Sequence, residues 1–314
     1  MIAAIGAFDG FHRGHQTLLE RAGVRAAFTG SRWGIITFLR HPDGLFKRPR
    51  FKSLFMEKEQ EILERYFDIP EVHKIEFNTV ISQMSPRAFL DYIRENYNVD
   101  GVVVGSDFRF GRDRAGDVSY LAAEGPKRGW TVDIMPILHT ASGIPICSST
   151  VREAVAKGDM RFAAELLGYP LFYRSTVIHG NRRGRELGFP TANLQTDHNK
   201  VELRRGVYST LVFCEGGWHF GAANIGRNPT FNDVSSLRFE VNIIDYRGDL
   251  YDRDITVFLL RHIRDEIAFS TAEDLVSQMH LDKEKVICEA QEALINYKLI
   301  WNYFSKALSG RLMI

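Results

Sequence analysis

Cysteine is scarce: Cys147, Cys214 and Cys288 are the only three among 314 residues. Their number is odd and their spacing wide, so neither a disulfide framework nor a zinc site can be drawn from them. A surplus of charge is also lacking. Forty basic side chains face 39 acidic ones, a formal charge of +1. Nothing in that balance predicts a nucleic-acid coat or a membrane surface as the main partner. Long apolar runs are absent. The opening MIAAIGAFDGFHRGH has neither the basic start nor the apolar stretch of a signal peptide, and no transmembrane helix is expected. A reducing, cytoplasmic location is the expectation. No G-x-x-x-x-G-K-[ST] occurs anywhere, which removes the P-loop ATPases.

What is present is an ordinary folded composition, 45% hydrophobic and 25% charged, long enough for two domains. Up to about residue 170, short apolar runs alternate with amphipathic stretches. Strands are predicted at Ile2–Ala7, Trp33–Phe38, Val72–Phe77, Gly101–Gly105 and Thr131–Met135. Helices are predicted over His15–Ala27, Met56–Phe67, from Ser85–Pro86 onward, Val118–Lys127 and Thr150–Lys157, with a short one ending near Gly168. This alternation predicts a parallel sheet flanked by helices. Beyond Tyr169 the rhythm changes. Phe172–His179, Gly206–Cys214, Trp218–Asn224, Leu237–Asp245 and Ile255–Leu260 read as successive strands, and Thr271–Ser309 returns to helical periodicity. The expectation is an α/β domain over 1–170 and an antiparallel β-barrel with C-terminal helices over 171–314.

Four segments carry chemistry. The first is Gly6–Gln16, GAFDGFHRGHQ, which leaves the first strand and enters the first helix. A glycine-bearing turn before a helix N-terminus suits a phosphate chain, and His12 and His15 stand one turn apart. The same spacing also fits a solvated helix start or a metal pair. The second is Val104–Gly111, where Asp107, Phe108 and Phe110 follow a strand; flat aromatic partners suit a planar ring, and packing under a loop uses them equally well. The third is Ser148-Ser149-Thr150-Val151-Arg152, in which Thr150 and Glu153 also satisfy a capping box. The fourth is Gly180-Asn181-Arg182-Arg183-Gly184-Arg185-Glu186-Leu187-Gly188-Phe189-Pro190-Thr191-Ala192-Asn193.

The first segment resembles the H-x-G-H signature of the nucleotidyltransferases, in the extended G-x-F-D-G-x-H-x-G-H form of the bifunctional bacterial riboflavin kinase/FAD synthetases. The second is similar to that family's G-x-D-F-x-F-G motif, and the third to S-S-T-x-x-R. The fourth resembles its riboflavin kinase motif, ending in PTAN. Further on, Ala223–Phe231 resembles N-I-G-x-x-P-T, and Phe239–Asn242 matches an E-x-H strand with Asn242 in place of His. Asp249–Asp252 departs from D-L-Y-G at its last residue, and Arg264, Glu266 and Phe269 match R-x-E-x-x-F.

The resemblance implies a Rossmann-like nucleotidyltransferase fold for the first half, converting FMN and ATP to FAD and pyrophosphate. It implies a second half converting riboflavin and ATP to FMN and ADP. His12, His15 and Arg152 would stabilise adenylyl transfer, with Gly6, Phe8, Asp9, Gly10, Gly14, Ser148, Ser149 and Thr150 around ATP. Gly180, Gly184, Gly188, Pro190, Thr191 and Asn193 would hold ATP in the kinase, with Thr191 and Asn193 on Mg²⁺, for which a hydroxyl and a carboxamide are suitable hard ligands. Glu240 would take the riboflavin hydroxyl proton. Asp107, Phe108, Phe110, Asn224 and Arg264 would contact flavin. Expected partners are small molecules rather than nucleic acid or membrane. The alternatives are a chain retaining one activity, or a flavin-binding regulator without turnover.

Overall fold

A computed structural model describes residues 1–39, 51–180, 188–227 and 237–309. By packing, the chain forms two compact units. One is Met1–Phe51 with Phe67–Ser148, the other Lys52–Tyr66 with Ser149–Ile314.

The first unit begins with β1 (Ile2–Ile5), α1 (Arg13–Thr29) and β2 (Trp33–Phe38). Next comes α2 (Glu57–Tyr66), an excursion that packs in the second unit. The first unit resumes with β3 (Val72–Ile75), α3 (Thr79–Gln83), α4 (Pro86–Tyr97), β4 (Gly101–Gly105), α5 (Val118–Glu124) and β5 (Thr131–Met135). The five strands are all parallel in the order β3-β2-β1-β4-β5. β1 is buried along its whole length, as a central strand covered on both faces must be. Met1, Ala3, Ile5, Val102 and Val104 meet Phe89, Leu90 and Ile93 of α4 in one core. Ser85 caps α4 by accepting from the Ala88 N–H at 3.2 Å, with Pro86 in the first turn, as the sequence predicts. The helix predicted to reach Lys127 stops at Glu124, because Gly125-Pro126 starts a separate single turn.

The second unit contains α6 (Ser148–Lys157), whose first residue belongs to the first unit, and α7 (Met160–Leu167). It continues with β6 (Phe172–Ile178), β7 (Ala192–Leu194), β8 (Gly206–Cys214), β9 (Gly217–Arg227), β10 (Leu237–Ile243) and β11 (Asp254–Arg264), then α8 (Ala272–Asn296) and α9 (Lys298–Ser309). The strands close an antiparallel barrel in the order β10-β7-β6-β11-β8-β9. The fold class read from the sequence is therefore the one observed. All nine residues of β8 are buried. Its barrel face fills the interior, and its outer face lies under α8, where the Ser209 hydroxyl donates to the Val286 carbonyl at 3.3 Å. The predicted C-terminal helix is two helices. α8 ends at Asn296 with Tyr297 as its C-cap, and the Trp301 indole N–H donates back to the Ala293 carbonyl at 2.9 Å.

The α2 excursion is fastened to the barrel by a buried charge pair. Glu59 and Lys200 are 2% and 5% exposed, and the ammonium donates to the Glu59 carboxylate. Glu59 also accepts from the Arg174 N–H at 2.8 Å and the Met56 N–H at 2.7 Å. Lys200 donates to the Phe172 carbonyl at 3.2 Å and lies over the Tyr173 ring at 3.6 Å. Tyr66, at the end of α2, stacks on Phe304 with centroids 4.3 Å apart. Glu59→Ala takes the carboxylate away from a buried ammonium. It is expected to destabilise the second unit by about 3–5 kcal/mol, measurable as a shifted denaturation midpoint followed by tryptophan fluorescence.

Candidate active sites

In the parallel sheet, β1 is followed by β2 on one side and paired with β4 on the other, so the direction of winding switches between β1 and β4. The carboxyl end of that pair is where open α/β sheets bind ligands. Two motif segments follow those strands directly: the loop after β1, residues 6–12, and the loop after β4, residues 106–111.

The first loop is tightly curled. Phe8, Gly10 and Phe11 have φ of 46°, 94° and 38°. Phe8, Asp9, Phe11 and His12 are all buried. The aromatic rings anchor the curl: Phe8 stacks on Phe11 at 5.4 Å, and Phe11 on Phe67 at 5.7 Å. α1 begins at Arg13 rather than His15, with His12 as its N-cap. The His12 Nδ1 accepts from the His15 N–H at 3.3 Å, so the ring proton resides on Nε2, which becomes a donor. The two imidazoles stack at 3.7 Å, bringing His12 and His15 together at the positive end of α1. Gly14 sits in a tight place, since a Cβ there would lie 3.1 Å from both His12 Nδ1 and the Ile146 carbonyl. Gly6 pairs its N–H with the Ile36 carbonyl at 3.2 Å, which continues the sheet into the loop.

The Ser148 hydroxyl donates to the Asp9 carbonyl at 2.8 Å, so it secures the loop from the start of α6. Ser149, Thr150 and Arg152 occupy the opening turns of the same helix. The helix starts at Ser148, which puts Thr150 inside it rather than at the N-cap position that the capping box assumes. After β4, Asp107 is exposed and Phe108 is half-buried. Phe110 is 5% exposed, a core residue packed on Phe89 at 5.6 Å, and Phe108 stacks on it at 5.4 Å. Phe108 therefore presents the accessible ring of the pair.

In the barrel, cross-strand register brings together three of the residues singled out in the sequence. Glu240 on β10 lies opposite Asn193 on β7 and opposite Asn224 on β9. Directly paired residues point to the same face, so the three form one polar row. Their neighbours Phe239 and Val241 turn inward and are buried. Beside the row is a cavity of about 560 Å³, lined by Thr191, Asn193, Val177, Ile243, Leu250 and Tyr251 among others. That volume suits a nucleotide-sized ligand. Gly180 and Pro190 line it too. Gly180 passes so close to the Asn193 carboxamide that a Cβ there would overlap it. Gly188 has φ +81°, while Gly184 lies outside the described residues.

Several contributors carry weaker sequence signals. Asn242, the residue in place of the family's His, donates to the Pro190 carbonyl at 2.8 Å and so holds the PTAN backbone. Asp252, which replaces a glycine, has φ 61° and donates its N–H to the Val177 carbonyl at 2.9 Å. The position demands a left-handed backbone, which Asp tolerates better than most residues. Tyr246 lines the cavity and donates to Glu215 at 2.8 Å; burial first, then that hydrogen bond, push its pKa up to about 12. Arg264 is gripped by Asp282 of α8, with Nη2 to Oδ2 at 2.7 Å and Nε to Oδ1 at 3.1 Å. Asp282 is itself 4% exposed and accepts from Gln278.

A curled glycine-bearing loop at a sheet switch point, and in the second unit a barrel with a nucleotide-sized cavity beside a polar row of one carboxylate and two carboxamides, are the features of a two-site nucleotide-dependent transferase. Comparison with known proteins gives the family. Residues 1–150 match the FAD synthetase family model, and residues 167–288 match the riboflavin kinase model. Curated relatives named bifunctional riboflavin kinase/FMN adenylyltransferase include those of Listeria monocytogenes and Pseudomonas fluorescens. They are 32% identical over 289 residues and 34% over 282, each match covering 90% of both chains. The Escherichia coli K12 relative is 32% identical over 287 residues, again 90% of both. A crystal structure named a macrolide-efflux protein from Streptococcus pneumoniae aligns with TM-score 0.82 and 31% identity, over 90% of this chain and 92% of that one. Among the described residues here, no helix is long and apolar enough to cross a membrane. The chain belongs to the bifunctional riboflavin kinase/FMN adenylyltransferase family.

Proposed function

We propose that the barrel unit phosphorylates riboflavin with ATP, giving FMN and ADP, and that the parallel-sheet unit transfers AMP from a second ATP to FMN, giving FAD and pyrophosphate. In motif terms, residues 1–170 serve adenylylation and 171–314 serve the kinase, with residues 52–66 lending structural support to the latter. The observation that carries the reading is the row Glu240–Asn193–Asn224 beside the Thr191-lined cavity. The row offers a carboxylate and two carboxamides, and Asn193 is shared with the cavity wall, to which Thr191 adds a hydroxyl, the groups that transfer from a nucleotide to a hydroxyl would use.

In the kinase reaction, Glu240 accepts the proton of the riboflavin 5′-hydroxyl as its oxygen attacks the γ-phosphorus, and the bond to the β-phosphate oxygen breaks. Asn224 orients the flavin from the same row. The cavity takes the adenosine, with Val177, Ile243 and Leu250 as its apolar walls. Thr191 and Asn193 supply two neutral oxygens, a set that fits Mg²⁺, an ion that draws its remaining ligands from phosphates and water. When bound, Mg²⁺ neutralises phosphate charge.

In adenylyl transfer, the FMN phosphate is already ionised near pH 7, so no strong base is needed. The work is alignment and charge stabilisation. His12 Nε2, His15 and the N-terminus of α1 hold the ATP phosphates, and the resemblance adds Arg152 to the catalytic set. Phe108 offers its ring to the isoalloxazine. The odd, dispersed set of three cysteines supports a reducing cytoplasmic setting.

Isotope transfer tests the scheme. With ATP labelled at the γ-phosphate, riboflavin should yield labelled FMN; with ATP labelled at the α-phosphate, FMN should yield labelled FAD. One label alone entering flavin means a single activity survives. Flavin bound without either label entering it means a regulator.

A further inference from the structure

Thr37 of β2 belongs to none of the motifs, yet it is 4% exposed and its hydroxyl donates to the Ala7 carbonyl at 3.2 Å. That carbonyl opens the peptide leading into Phe8, whose φ of 46° is unfavourable for a bulky side chain. Rotating the Ala7–Phe8 peptide by half a turn would relieve Phe8, since its φ changes directly with that rotation. The Thr37 hydroxyl opposes the rotation. Because the peptide is trans, fixing the carbonyl on Thr37 sends the Phe8 N–H the opposite way, and this N–H meets no acceptor among the described residues. The rest of the loop follows the same pattern. The Phe8, Asp9 and Phe11 carbonyls accept from the Phe11 N–H at 3.3 Å, the Ser148 hydroxyl at 2.8 Å and the Gln16 amide at 2.8 Å. Carbonyl oxygens are thus tied to the scaffold, away from a ligand made of acceptors.

We propose that Thr37 is a positioning residue for adenylyl transfer: its hydroxyl holds the Ala7–Phe8 peptide so that the Phe8 N–H faces the nucleotide's phosphates as a donor. This rests on assigning the 6–15 loop to adenylylation. If the peptide flips, a donor is replaced by a carbonyl dipole of the wrong sign, and the transition state loses one preorganised contact.

The test uses the full chain and two substitutions. Thr37→Val keeps the β-branched shape on β2 but removes the hydroxyl; Thr37→Ser keeps the hydroxyl and removes a methyl group. Thr37→Val is expected to lower kcat for FMN adenylylation by roughly 10–100-fold, below the full loss of a donor because the N–H is misdirected rather than deleted. KM for FMN and riboflavin phosphorylation by the same molecules should stay near wild type, the latter reporting that the chain is folded. Thr37→Ser should restore most of kcat. Wild-type kcat in Thr37→Val overturns the proposal. So does an equal loss in Thr37→Ser, which would make the effect one of packing, or a matching loss of kinase activity, which would make it one of folding. Failure of the wild-type protein to adenylylate FMN would instead refute the site assignment beneath it.

Discussion

Glu240→Gln is expected to lower riboflavin kinase turnover by about 10²–10⁴-fold, the usual range for a lost general base. Gln keeps the size of the side chain and can still hydrogen-bond across the row, but it has no carboxylate to take the 5′-hydroxyl proton. The register placing Glu240 between Asn193 and Asn224 survives, because it is set by backbone pairing and by Phe239 and Val241 in the interior. Nucleotide binding should survive with it, since the cavity walls and Thr191 are unchanged. Adenylylation of supplied FMN should continue at its normal rate. Steady-state kinetics with nucleotide binding measured in parallel checks all three. A turnover close to wild type would return Glu240 to being an ordinary half-buried strand residue. Loss of nucleotide affinity would make it a binding residue.

His15→Ala is the counterpart in the first unit. Removing the imidazole should cut FMN adenylylation by about 10²–10³-fold, the scale of one lost transition-state donor. The α1 start should persist: His12 caps it through the backbone N–H of residue 15, which alanine retains, and Gln16 still bonds back to the loop. His12 loses its stacking partner at 3.7 Å, so part of the loss reflects a less fixed His12 ring. Riboflavin phosphorylation should hardly change. Parallel assays of the two reactions on one preparation measure the ratio directly.

Much of this was legible in the sequence because it depends on local pattern. Alternating apolar runs pointed to the parallel sheet, and glycines, histidines and prolines at fixed spacing marked both candidate phosphate segments. What the sequence withheld depends on long-range pairing. No local pattern tells that Asn193, Asn224 and Glu240 share a row, since that follows from the register of three strands. β7 was missed because three residues after a proline carry too little periodicity. Nor does the amphipathic pattern of α2 say which core it serves; contacts such as Glu59 with Lys200 and Tyr66 with Phe304 assign it to the second unit. Phe108 and Phe110 look alike in sequence, and burial alone separates the accessible ring from the core one. Ser148 reads as a phosphate ligand in its motif, yet its hydroxyl is committed to the Asp9 carbonyl.

The claim that two independent sites act in series within one chain is tested most directly by mixing two disabled variants. Given riboflavin, ATP and Mg²⁺, His15→Ala alone should accumulate FMN with little FAD, and Glu240→Gln alone should leave riboflavin nearly untouched. Combined in one tube, the pair should convert riboflavin to FAD, because one variant supplies the FMN that the other adenylylates. Chromatographic separation of the flavins over time gives the answer. FAD from the mixture but from neither variant alone is the predicted result. Loss of both activities in either folded variant, with no FAD from the mixture, would contradict the account.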